Sequence, residues 1–91
     1  LELTLKILCP YINISNYYLK NTKYKKCVET LEEALRKQLV TKELLNNLGI
    51  AYLATKENEK SKSMFEQALK IDPSYKPALD NMRNLENIDQ K

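Results

Sequence analysis

Apolar residues recur along most of this chain at intervals of three and four, the period of helices that bury one face. The spacing predicts helices over 10–20, 23–38, 42–54, 57–71 and 75–87. Thr41 and Ser74 are suited to cap the helices that follow them. Pro10 and Pro77 suit first turns, where a missing N–H is harmless, and Pro73 ends the fourth helix. Residues 1–7 differ, because Leu1, Leu3, Leu5 and Ile7 alternate with polar residues as in a strand. A single strand cannot make a sheet. The segment therefore reads either as the end of a preceding domain or as the frayed tail of a preceding repeat helix.

The helical pattern is also repeated. Leu48, Gly49 and Tyr52 are followed, after the polar break Lys56-Glu57-Asn58, by Ser61, Phe65, Ala68 and Pro73. A shift of 34 residues lays these onto Ile14, Ser15, Tyr18, Cys27, Leu31 and Ala34. Residue type is kept at all six positions, and only the closing proline is lost, at Leu39. A forward shift lays Leu45, Asn47 and Leu48 onto Leu79, Asn81 and Met82, but Gly49 onto Arg83. The last helix thus keeps an apolar stripe and loses the small residue, as a terminal capping helix does.

These residues at this period resemble the tetratricopeptide repeat, closely over 42–75 and more loosely over 8–41. The expected fold is all-α: two antiparallel helix-turn-helix repeats in a short solenoid, a capping helix and tail over 76–91, and a leading segment over 1–7. Gly49 and Ser61, like Ser15 and Cys27, should lie where paired helices approach. Phe65 and Leu31 should fill the space beside them. Ala68 and Ala34 should admit the next helix, and Tyr52 and Tyr18 should bury a ring and keep a wet hydroxyl.

Composition narrows the function. The chain has 91 residues, 43% of them hydrophobic, with one glycine and three prolines, which suits a single helical domain. Its net charge of +3 is too balanced to point to nucleic acid. Histidine is absent, which removes the commonest general base and metal ligand. Cys9 and Cys27 form no CxxC motif, so neither a metal site nor a cofactor is expected. Cys27 reads as a small core residue, not a reactive thiol or half of a disulfide. No phosphate-binding loop or nucleophile motif occurs, and the acidic pairs Glu32-Glu33 and Glu57/Glu59 have no convergent base, so no catalysis is expected. No stretch is long enough to span a membrane. The opening residues make a poor signal peptide, and reduced cysteines make the cytoplasm the expected compartment.

The resemblance implies a scaffold that holds an extended peptide or partner helix in a concave groove lined by the first helix of each repeat. The period places Ile12, Asn13, Asn16, Leu19 and Lys20 there, then Asn46, Asn47, Ile50 and Leu53, then Asp80, Asn81 and Asn84. Asn13, Asn47 and Asn81 stand one repeat apart, and an asparagine amide can pair with a peptide N–H and C=O together. Co-chaperones of this fold clamp a terminal carboxylate with Lys, Asn and Arg. Asn16 and Asn47 match that clamp, but Ile12, Pro77 and Asn81 stand where it needs cations. The groove is therefore expected to take a protein or peptide without such a clamp.

Two other functions are open. Tyr17, Tyr18, Lys20, Lys23, Tyr24, Lys25 and Lys26 form an interleaved patch that can bind RNA or another anion, although Glu29, Glu32 and Glu33 follow at once. The unit can also be the docking arm of a larger enzyme such as a peptidyl-prolyl isomerase. The leading face of the first helix lacks a preceding repeat. Leu3, Leu5, Ile7 and Leu8, another domain, a partner or a second copy of the chain, as a homo-oligomer, should cover it.

Overall fold

The computed structural model describes the backbone of residues 2–89 and the side chains of residues 11–85. Five helices follow one another: α1 (Glu2–Lys20), α2 (Tyr24–Arg36), α3 (Lys42–Ala54), α4 (Asn58–Ile71) and α5 (Lys76–Asp89). Each packs on its chain neighbour, and α1, α3 and α5 also touch in succession. The result is two layers, with α1, α3 and α5 in one and α2 and α4 in the other. The thinnest dimension, 20 Å, is about two helix diameters.

Two core clusters lie at equivalent places. The first joins Cys27, Leu31 and Ala34 of α2 to Leu44, Leu48 and Ala51 of α3, with Leu39 and Tyr52. The second joins Phe65 and Ala68 of α4 to Ala78 and Leu85 of α5, with Leu45. The period carries Leu31 and Ala34 onto Phe65 and Ala68, and Leu44 and Ala51 onto Ala78 and Leu85. Each cluster is thus a seam between one repeat's second helix and the next repeat's first.

The turns repeat as well. After α1, Lys23 N–H reaches the Tyr18 carbonyl at 2.8 Å and Thr22 N–H the Leu19 carbonyl at 3.3 Å; after α3, Glu57 and Lys56 do the same with Tyr52 and Leu53 at 2.8 and 3.1 Å. Both ends are Schellman motifs. Their left-handed residues are Thr22 (φ 58°) and Lys56 (φ 66°), where glycine would be free of strain. A third such end closes α2, with Gln38 at φ 61° and Leu39 tucked into the core.

Three expectations about helix ends need correction. Residues 2–7 are neither a strand nor a separate tail but the first turns of α1. Pro10 therefore lies inside a helix, where it withholds the N–H that would bond the Lys6 carbonyl. Because 2–8 continue straight into α1, they cannot fold back over its leading face. Thr41 does cap α3, its hydroxyl accepting from Leu44 N–H at 3.2 Å. Ser74 does not cap α5. Its N–H and hydroxyl instead donate to the Asp72 carboxylate at 3.1 and 2.9 Å, and the first carbonyl of α5 to accept is that of Tyr75.

Candidate peptide-binding face

The small residues set how closely the layers approach. Ser61 donates its hydroxyl to the Gly49 carbonyl at 2.7 Å, binding α4 to α3. One repeat earlier the Cys27 thiol points at the Ser15 carbonyl at 3.8 Å. A Cβ on Gly49 would meet the Phe65 ring at 2.5 Å, so glycine is required opposite this phenylalanine. By the repeat period Ser15 takes the place of Gly49, and the narrower Leu31 that of Phe65. Burial pushes the free Cys27 thiol up to about 11, which keeps it neutral and unreactive.

This close approach brings α1, α3 and α5 side by side, and asparagines link them. Asn47 Nδ2 donates to Ser15 Oγ at 3.1 Å and to Asn16 Oδ1 at 3.0 Å, joining α3 to α1. Asn81 Nδ2 donates to Asn46 Oδ1 at 3.0 Å, joining α5 to α3. The Ser15 hydroxyl itself donates to the Ile12 carbonyl at 2.7 Å. Each link uses an amide nitrogen, and every such amide has a carbonyl oxygen besides.

The sequence-predicted residues thus separate into two sets. Asn13, Asn16, Lys20 and Asn84 are exposed. Asn47 and Asn81 are half-buried in interhelical bonds, and Asn46 is buried. Ile12 leans on the first core cluster, and Ile50 and Leu53 on the second. Asp80 is exposed.

Other singled-out groups are engaged elsewhere. Tyr52 donates its hydroxyl to Glu32 at 2.5 Å instead of leaving it to water. Burial, and then the carboxylate, raise its pKa well above the usual phenol value. Glu33 pairs with Lys37 at 3.7 Å and Glu57 with Lys60 at 3.5 Å. In the Tyr/Lys patch, Tyr18 packs on the core, while Tyr24 lines a shallow hollow with Lys23, Lys25 and Lys26. Among the described residues no cluster of acids and cysteines could hold a metal, and no helix is long and apolar enough to cross a membrane.

One pairing carried no sequence signal. Lys42 at the start of α3 donates to Asp72 beyond α4 at 2.7 Å, and lies 5.0 Å from the centre of the Tyr75 ring. This contact closes the second repeat against the following helix.

Stacked antiparallel helix pairs with a polar inner layer define a helical-repeat interaction module. Residues 10–36 and 42–75 each match the profile of the tetratricopeptide repeat, more than half of the chain, and the protein belongs to that family. The family is a non-catalytic interaction module, and its members generally bind proteins. A search of curated proteins finds no match to the chain.

Proposed function

We propose that residues 8–41 and 42–75 act as two repeats, capped within 76–91, that hold an extended peptide or partner helix against α1, α3 and α5. The carrying observation is the exposure of Asn13, Asn16 and Asn84 beside the Asn47–Asn16 and Asn81–Asn46 links. The links hold their helices at fixed spacing, so free amides are presented on a rigid surface that loses little entropy on binding. Ile12 and Ile50 add shallow apolar contact between them. Without cations at 12, 77 and 81, the ligand is read along its backbone and not by a terminal carboxylate. The reading assigns these residues no catalysis and no cofactor, and sets them in a reducing compartment such as the cytoplasm.

The test is selection of peptides from a displayed random library on the 91-residue chain, followed by titration on Asn13→Ala/Asn84→Ala. These side chains are exposed, so the fold should persist. Affinity should fall about tenfold or more, the loss of one or two good hydrogen bonds. Equal affinity in a folded variant would remove the groove reading.

A further inference from the structure

Asn46 in α3 is a buried amide with one end unused. Only 5% of the residue is exposed. Its Oδ1 accepts from Asn81 at 3.0 Å, but among the described residues its Nδ2 donates to no protein group. None of their buried side-chain nitrogens or oxygens lacks a partner, so this nitrogen belongs to the small part of Asn46 that reaches the surface. Asn47 beside it differs, because both of its amide hydrogens are taken, by Ser15 and Asn16. An amide fixed at its oxygen and open at its nitrogen is set to donate to whatever lies on the face.

The surroundings of this donor are acidic and apolar. Glu43, three residues before Asn46, and Ile50, four after it, share its side of α3. Glu43 is exposed and Ile50 half-buried. Asp80, also exposed, holds by the repeat period the place on α5 that Asn46 holds on α3, and it adjoins the Asn81 that bonds Asn46. Neither carboxylate has an ion-pair partner among the described residues. Lys42, next to Glu43, is taken by Asp72 at 2.7 Å, and Lys76 and Arg83, a turn to either side of Asp80, form no pair with it. Among the described residues no group of acids and cysteines could hold a metal, so an inorganic ion does not fit. A cation on a long apolar stem, next to a carbonyl, does fit, since the stem can lie along Ile50 while the charge stays at the acids.

We propose that Asn46, Glu43 and Asp80 form a subsite for a lysine or arginine of the bound peptide, a specificity that rests on the groove reading and names what the groove selects. The Asn46 amide donates to a backbone carbonyl of the ligand, and the two carboxylates take the cation. This end of the groove is then the electrostatic reverse of a site that clamps a terminal carboxylate.

The test selects on the 91-residue chain from two displayed libraries with random flanks, one with lysine fixed at the centre and one with glutamate. Binders should come from the lysine library, and replacing that lysine by norleucine in a selected peptide should weaken binding about tenfold. On Glu43→Gln/Asp80→Asn, changed only at exposed positions, the same replacement should cost less than about twofold. Asn46→Asp keeps the acceptor for Asn81, removes the donor and adds negative charge. With the helical circular dichroism retained, it should weaken the lysine peptide, although added charge alone would tighten it. Binders drawn equally from both libraries would overturn the subsite, and so would a lysine effect as large on the double variant as on the parent, or tighter binding by a folded Asn46→Asp. In each of these cases the groove reading would stand, because a peptide still binds. Binders from neither library would remove both.

Discussion

At position 49 two effects of opposite sign compete. Glycine inside a helix costs about 1 kcal/mol relative to alanine, so Gly49→Ala should stabilise α3 if space allowed. Space does not allow it, because the new methyl would lie 2.5 Å from Phe65. Overpacking of this kind costs about 1–3 kcal/mol. The first repeat has a larger residue, Ser15, at the position of Gly49 and a smaller one, Leu31, at that of Phe65. Gly49→Ala should therefore destabilise the parent by about 1 kcal/mol, yet be neutral or stabilising in a Phe65→Leu background. Urea unfolding of the four proteins gives the coupling; strictly additive effects would show that the ring is not what excludes a side chain at 49. The glycine, serine and phenylalanine were legible in the sequence, because the repeat itself displays the substitution pattern. The partners of Asn47 and Tyr52 were not. They lie on other helices, and hydrogen-bonding capacity alone does not say which of several neighbours an amide or hydroxyl will meet.

For single helices, α1 departs most from its sequence pattern. Pro10 is suited to a first turn, and the period-two alternation before it reads as non-helical. The structure carries α1 through the proline to Glu2. A proline inside a helix costs about 3 kcal/mol, so Pro10→Ala should strengthen these first turns. The expected readout is greater helical ellipticity and slower amide exchange over residues 3–9. If the helix instead began at Pro10, the substitution would be neutral or slightly harmful, and exchange there would stay fast. The remaining boundaries fell within a residue or two of the pattern, because capping and turn chemistry are local. Gln38 leaves α2 because it takes the left-handed position of the closing turn, and Ser74 fails to cap α5 because its N–H and hydroxyl bond the Asp72 carboxylate.

At the scale of the molecule, the repeats are stitched by polar contacts as well as by the two apolar seams. Lys42 and Asp72 span the second repeat, each with about a third of its side chain exposed. The bond from Lys42, and then those from Ser74, hold the Asp72 carboxyl below the usual carboxylate range. The bond to Asp72 raises Lys42 above the usual lysine value. A depressed carboxyl contributes stability above its unfolded pKa and loses it as pH falls through the folded one. A raised lysine contributes below its unfolded pKa and loses it as pH rises through the folded one. Stability should thus hold a plateau at neutral pH, fall below about pH 4 and fall again above about pH 10. Asp72→Asn should lower the plateau and flatten the acid limb. Thermal melts across pH would show this, and an acid limb as steep in the variant as in the parent would assign it to other carboxylates.

The sequence by itself determined the all-α class, the repeat period, the inner and outer stripes of each helix and the place of the small residues. All of these follow from local periodicity and side-chain size, which act over a turn or across one hairpin. Only the tertiary structure decided which asparagines remain free. Asn13, Asn47 and Asn81 are equivalent by period, yet Asn47 and Asn81 each bond to the first helix of the preceding repeat, while Asn13, on α1, is exposed and meets no such helix among the described residues. The same asymmetry buries Leu48 and leaves Ile14 exposed: a repeat defines its faces, but only its neighbours determine which of them meet water.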